Sequence, residues 1–184
     1  MTDGWYVVNG EVTVAERMTA KGKVHLILAD GAHLTAAGIE VDKNSSLTVY
    51  AQSGGSGILK SDATNVGKAG IGGGGAITIH GGYIIANGGS KCAGIGGNSN
   101  TDGGTITIYD GEIIATGGTG AAGIGGGYNT SGGTITIYDG DITATGGTGT
   151  ANVDGAGAGI GGGASNASSA TAIPSGGTIT INGG

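Results

Sequence analysis

The sequence has one cysteine, one proline, one tryptophan and no phenylalanine in 184 residues. A single cysteine excludes an intrachain disulfide framework. Scarce proline excludes collagen, which also needs glycine in a strict three-residue period. Aromatic residues make up 4% and charged residues 11% of the chain, so large side chains are too few for a compact helical or doubly wound domain. Glycine occupies 47 positions, which is typical of a repeat.

Basic residues are absent from the second half of the chain. All lysines and arginines lie at or before Lys91, so residues 92–184 carry the whole net charge of −6. Such a field repels phosphate backbones, which argues against a nucleic-acid partner and favours divalent cations or neutral glycans. No apolar run approaches the length of a membrane span, and the first residues do not have the pattern of a secretory signal peptide.

Related segments recur along the sequence, and their clearest copies read Ile-Thr-Ile-Tyr-Asp-Gly. The segments begin at residues 5, 26, 47, 77, 106, 135 and 179. A second motif, Ala-Gly-Ile, recurs between them. Alternating apolar residues and glycine corners indicate two or three short strands in each unit. We therefore predict that residues 1–184 form one all-β domain, a single-stranded parallel β-helix (β-solenoid) of about six coils with loop insertions.

Alternation also assigns the inward positions. Stacked aliphatic side chains would fill a narrow coil without large aromatic residues. The predicted inward columns are Leu26, Leu28, Leu47, Val49, Ile77, Ile79, Ile106, Ile108, Ile135 and Ile137; Ile84, Ile113 and Ile142; and Ile39, Ile71, Ile95, Ile124 and Ile160. The last segment stops partway through a coil. We expect either a piece of a longer protein or end-to-end self-association through this open coil.

An outward column of aromatic residues is the first candidate binding surface. It contains Tyr50, His80, Tyr109 and Tyr138. Sugar rings stack on aromatic faces, and tyrosine hydroxyls can bind sugar hydroxyls. Mutual stacking that fixes the strand register is the alternative explanation.

Threonines form a neighbouring outward column that includes Thr107 and Thr136. We include both as candidate ligand contacts. A flat Thr-x-Thr array can also organise water and bind ice. The simpler reading is that threonine suits an outward strand position.

Four acids gather at the adjoining corner. Asp110 is equivalent to Asp139, and Glu112 is equivalent to Asp141. Like charges in adjacent strands destabilise a sheet, and a Ca²⁺ ion with oxygen ligands would remove that cost. A solvated acidic corner, with Asp-Gly as turn chemistry, is the alternative.

Catalysis has little support in the sequence. Glu112 and Asp141 occupy equivalent positions of a repeat, so nothing makes one an acid and the other a base. Cys92 stands alone beside Lys91, and the glycine runs lack the Gly-Lys-Ser/Thr of a phosphate loop. We therefore expect a protein that is not an enzyme.

The units at 103–118 and 122–127 resemble the glycine-rich right-handed β-helix regions of large cell-surface proteins of Clostridia and other Gram-positive bacteria, many from the gut. Residues 5–8 and 24–36 resemble the entry segment of that group. The resemblance implies a right-handed helix, secretion or a cell-surface location, and adhesion or binding of glycans such as host or cell-wall polysaccharide. A looser resemblance is to pectate-lyase-like β-helices and the carbohydrate-binding modules derived from them. A purely structural stalk, a pectate-lyase-like enzyme and an ice-binding protein remain the alternatives.

Overall fold

The computed structural model describes residues 1–64, 67–150, 155–165 and 174–183. All the helices and strands assigned in these ranges are in fact β-strands. These ranges therefore contain no helix long and apolar enough to cross a membrane. In chain order the strands are β1 (Gly4–Val8), β2 (Glu11–Val14), β3 (Met18–Ala20), β4 (Lys23–Leu28), β5 (His33–Ala36), β6 (Ile39–Val41), β7 (Ser46–Ala51), β8 (Ile58–Asp62), β9 (Ile71–Gly72), β10 (Ala76–Ile79), β11 (Tyr83–Asn87), β12 (Ile95–Gly96), β13 (Thr105–Ile108), β14 (Glu112–Thr116), β15 (Ile124–Gly125), β16 (Thr134–Ile137), β17 (Asp141–Thr145), β18 (Ile160–Gly161) and β19 (Thr178–Ile181).

The strands build three parallel sheets, because each strand from β4 onwards pairs with the strand three positions earlier. Sheet A has the order β1-β4-β7-β10-β13-β16-β19, sheet B has β17-β14-β11-β8-β5-β2, and sheet C has β18-β15-β12-β9-β6-β3. Three consecutive strands therefore make one coil. The described residues form six coils of three strands, followed by β19. This is the predicted parallel β-helix.

The register of the first two coils differs from the sequence-based alignment. From Leu47 onwards the predicted alignment is correct, since Leu47 pairs with Ile77 and Ile77 with Ile106. Leu47, however, pairs backwards with Val24 and not with Leu26. A shift of two residues keeps the same face inward, so alternation alone could not detect it.

Trp5 was also misplaced by that alignment. The alignment matches Trp5 with Leu26, an inward residue, but Trp5 pairs with His25 and is 62% exposed. A shift of one residue exchanges the two faces of a strand. Trp5 therefore lies on the outer face of sheet A.

The predicted inward columns are confirmed through the first five coils. Ile77, Ile106 and Ile113 are at most 1% exposed, and burial of each contributes roughly 1.5–3 kcal/mol. Ile142 and Ile160, in the sixth coil, are only half-buried because β17 and β18 are edge strands of their sheets.

One glycine column sets the approach of neighbouring coils. Gly72, Gly96, Gly125 and Gly161 occupy the same position of sheet C, with φ between 131° and 136°. A Cβ atom on Gly96 would lie 2.1 Å from the carbonyl oxygen of Gly125. Glycine is needed at this position of sheet C because φ is positive and because a side chain would clash with the next coil.

Candidate functional site

An aromatic ladder runs along the outer face of sheet A. The ring centroids of Tyr50 and His80, His80 and Tyr109, and Tyr109 and Tyr138 are 4.8, 4.6 and 4.8 Å apart. The interplanar angles are 1°, 2° and 2°. These four rings lie in one column, as their positions in the repeat predicted. The ring spacing matches the distance between adjacent parallel strands.

Trp5 and His25 extend the aromatic ladder, which sequence reasoning missed. Their ring centroids are 4.2 Å apart, and the Trp5 ring also lies 5.4 Å from that of Tyr50. His25 lies opposite Thr48, and Trp5 lies opposite His25, so both are two positions before the tyrosine column. The correct pairing of Val24 with Leu47 would have placed His25 in this column, and the pairing of Trp5 with His25 would have placed Trp5 beside it on the outer face.

Ring stacking limits how the aromatic ladder can contact a ligand. Parallel rings less than 5 Å apart cover each other's faces, so no sugar ring can stack on His80 or Tyr109. Tyr109 and Tyr138 are nevertheless 43% and 45% exposed. In the interior of the stack, the ring edges and hydroxyl groups are what a ligand meets. The geometry therefore supports the register-fixing role of the stack more directly than sugar stacking.

The threonine column is in register across sheet A. Thr107 pairs with Thr78 and Thr136, and all three side chains are half-buried. Thr105 and Thr134 form a second, exposed column two residues earlier. The aromatic ladder adjoins these columns, so the flat array is narrow.

A groove lies at the corner where sheet A turns into sheet B. We call it the corner groove; its volume is about 440 Å³. It is lined by residues 51–53, 55, 80–83 and 110–112 and by Asp141. Of the predicted site residues, it brings together His80, Asp110, Glu112 and Asp141. Tyr50, Tyr109, Tyr138, Thr107, Thr136 and Asp139 lie outside its lining.

A departure from the repeat creates this groove. The turn from sheet A to sheet B reads Tyr-Asp-Gly in the fifth and sixth coils but His-Gly-Gly at 80–82. Gly81 thus stands where the next two coils have Asp110 and Asp139, and a side chain is missing there. One wall of the groove comes from the third coil, where the connection between sheets A and B, at 52–57, is longer than the three-residue turns of the later coils.

The four corner carboxylates divide into two types. The side chains of Asp110 and Asp139 accept hydrogen bonds from the backbone N–H groups of Gly111 and Gly140, at 2.7 and 2.8 Å. This is the turn chemistry expected of Asp-Gly. Glu112 and Asp141 pair directly in adjacent strands and are exposed. Their carboxylates have no ion-pair partner among the described residues.

The structure gives the calcium hypothesis no geometric support. Across the described ranges, no group of three or more His, Cys, Asp or Glu side chains is placed to hold a metal ion. Two of the four corner carboxylates, Asp110 and Asp139, already accept backbone hydrogen bonds. Exposure to solvent reduces the repulsion between the other two.

A second groove, of about 500 Å³, lies where sheet C turns back to sheet A. Asp42, Lys43, Asn100 and Asp102 are among its lining residues. The Asp102 carboxylate accepts a hydrogen bond from the Ser131 N–H group at 2.9 Å, so it stabilises a loop. No predicted site residue lies in this groove.

Cys92 is buried beneath the surface of the coil. Burial raises the pKa of its thiol, an effect that the hydrogen bond from the Ser99 N–H group and the charge of Lys68 only partly offset. The thiolate is therefore disfavoured, which argues against a nucleophilic role.

Comparison with known protein families matches three consecutive coils. A β-helix repeat model matches residues 77–99, 106–128 and 135–164. The chain contains a β-helix repeat region. Each matched segment begins in sheet A and includes one strand of each sheet, so the repeat unit is one coil.

The β-helix repeat region carries most of the corner groove, since His80, Glu112 and Asp141 all fall within it. The wall at 52–57 lies before the matched segments. No curated protein and no solved structure gave a significant match to the chain.

Proposed function

We propose that this chain is a non-enzymatic segment of a secreted or cell-surface bacterial protein that binds carbohydrate in the corner groove. The observation that carries the proposal is the groove itself. It opens where one coil departs from its repeat, and it exposes the free carboxylates of Glu112 and Asp141 beside His80. A rigid β-helix holds these groups at fixed spacing, which lowers the cost of ordering them around a ligand.

The groove chemistry favours neutral sugars or amino sugars. Carboxylates accept hydrogen bonds from sugar hydroxyls and form stronger, charge-assisted bonds with ammonium groups. Among the described residues, no lysine or arginine lines the groove. Uronic acids and sulfated sugars would therefore be repelled. This preference is opposite to that of a pectate-lyase-like site, which must bind an acidic polysaccharide.

Binding without catalysis fits the two carboxylates. A glycosidase needs one carboxyl group protonated and the other ionised, held apart by different environments. Glu112 and Asp141 lie side by side at equivalent positions, and both are exposed.

A structural stalk is the second candidate function. The covered faces of the aromatic ladder and the glycine column of sheet C both fix coil stacking. A stalk needs only such features and predicts no ligand at the groove. Secretion and surface location rest on the family resemblance. Detection of the native protein in culture supernatant or cell-wall fractions would test them.

A binding screen separates the two functions. We would test neutral, amino and uronic polysaccharides against the wild type and Glu112→Gln/Asp141→Asn, in calcium and in chelator. We expect binding of a neutral or amino polysaccharide that falls at least tenfold in the variant, with an unchanged β-sheet circular dichroism spectrum. Calcium should make no difference.

Asp139→Asn is the matched control. Asp139 is exposed at the same corner but does not line the groove, so its substitution should leave binding unchanged. If the wild type binds none of the polysaccharides, the carbohydrate proposal is wrong and the stalk remains. Preferential binding of a uronic polysaccharide would contradict the charge argument.

A further inference from the structure

The corner groove draws its lining from four consecutive coils. Gln52 belongs to the third coil, His80 to the fourth, Glu112 to the fifth and Asp141 to the sixth. Four coils enclose three coil-to-coil intervals, which give the groove a length of roughly 14 Å along the solenoid axis. In the fourth to sixth coils, each turn between sheets A and B is only three residues long. The groove is therefore elongated along the axis.

Polar side chains recur along this direction with the period of the coil. Tyr83 pairs with Glu112, and Glu112 pairs with Asp141, so the three occupy one column of sheet B. All three line the groove. A ligand lying along the axis would meet one side chain of this column in each of the fourth, fifth and sixth coils, and Gln52 and Ser53 of the connecting loop in the third.

We infer that the corner groove binds an extended polysaccharide chain that lies along the solenoid axis, with about one sugar unit at each coil. This inference rests on the carbohydrate binding proposed above. Strands in adjacent coils lie roughly 4.8 Å apart, and a hexopyranose of an extended β-1,4-linked chain advances by nearly that distance. The two repeats therefore stay in step across four coils. A compact or branched glycan would contact only part of the column.

Chain length then controls affinity in a defined way. Each sugar unit added to the chain, up to the fourth, contacts the groove-lining groups of one more coil. One added hydrogen bond of net 0.5–1.5 kcal/mol corresponds to about two- to tenfold in affinity. Units beyond the fourth lie outside the groove and add nothing.

The experiment is calorimetric titration with β-1,4-linked oligomers of one to six units, in a glucosamine series and a glucose series. We expect affinity in at least one series to rise with each unit up to three or four and then to plateau. Two variants shorten the groove from opposite ends. Ser53→Trp fills the third-coil end at an exposed loop position, and Asp141→Ala removes the sixth-coil acceptor.

Both end variants should weaken binding of the tetramer about two- to tenfold and leave the dimer almost unchanged. The central variant Glu112→Gln should weaken the tetramer, and it should weaken the dimer more than either end variant does, because two of the three adjacent pairs of coils include Glu112. Asp139→Asn again serves as the control and should alter neither. Circular dichroism and the urea midpoint confirm that each variant is folded.

The results separate the inference from the proposed function. If no oligomer in either series binds the wild type, the carbohydrate proposal itself fails. If oligomers bind but the dimer binds as tightly as the hexamer, the axial chain is wrong while carbohydrate binding stands. Equal losses for dimer and tetramer in both end variants would likewise overturn the axial orientation.

Discussion

The guanidinium group of Arg17, in the first coil, forms an ion pair with Glu40 of the second, with Nε and Oε2 2.9 Å apart. It also donates hydrogen bonds to the carbonyl oxygens of Ala69 and Gly72, at 2.6 and 3.2 Å. The other Glu40 oxygen accepts a hydrogen bond from Asn98 in the fourth coil, at 3.0 Å. Burial lowers the pKa of Arg17, although the charge of Glu40 opposes this effect. One polar cluster thus joins four coils.

Substitution of Arg17 by methionine should destabilise the first four coils by about 2–4 kcal/mol. It leaves the mostly buried Glu40 carboxylate and two carbonyl oxygens without their donor, and breaking a buried pair costs more than the pair itself contributes. Urea denaturation measures the change. Lys21→Met, at an exposed site in the first coil, is the control; equal midpoints for the two variants would contradict a stabilising role.

Asp62 should make stability depend on acidity. Burial raises the pKa of this carboxyl, but hydrogen bonds from the side chain and backbone of Thr64 and from Asn87 outweigh it, and the net pKa is lowered. A lowered folded-state pKa stabilises the fold above the unfolded-state value, and this contribution is lost as the pH falls through the folded-state value.

The urea midpoint of the wild type should therefore fall from about pH 5 downwards, and that of Asp62→Asn should fall less. Glu16→Gln, at an exposed position, provides the comparison. The same pH profile for wild type and Asp62→Asn would refute the assignment.

Gly125→Ala should be far more damaging than Gly176→Ala. A Cβ atom on Gly125 would lie 2.0 Å from the Gly161 carbonyl oxygen, and its φ is +131°. Backbone strain and overpacking each cost about 1–3 kcal/mol. Gly176 has open space within 4 Å and no restricted φ. Thermal unfolding should show a large loss for the first and little for the second; similar losses would show that the glycine column is not required.

The aromatic ladder predicts opposite outcomes for two substitutions at one position. His80→Ala removes two stacked pairs, each contributing about 0.5–1.5 kcal/mol beyond burial, so we expect a loss of about 1–3 kcal/mol. His80→Tyr keeps the stack, because tyrosine already occupies this column in the coils on either side. Denaturation midpoints give the comparison. A wild-type midpoint in His80→Ala would mean that the stack does not stabilise the coils.

The repeat made the architecture predictable. Alternation around Ile106 and Ile108 identified the inward face, and the recurring motif identified the coil. The first two coils were harder, because Leu26 and Val24 are both inward and only strand pairing tells which one faces Leu47. The position of His25 depended on the same pairing, and that of Trp5 on the pairing of β1 with β4.

The corner groove was only partly visible in the sequence. The sequence predicted that Glu112 and Asp141 lie side by side, because they are equivalent residues of the repeat. The break at Gly81 was present in the sequence, but its effect depends on the loop at 52–57, which comes from another coil. The close stacking of Tyr109 on Tyr138 also needed the structure, since column membership does not fix ring orientation.

The pairing of every strand with the strand one coil away determines how the molecule responds to force. Hydrogen bonds between the parallel strands join each coil to the next and run roughly along the solenoid axis. A pull along the axis therefore loads the bonds of one interface in tension and does not shear whole sheets at once. Because each coil contacts chiefly its neighbours, the outermost coil detaches first and the next follows. The chain would lengthen in steps of one coil, as an extensible tether does.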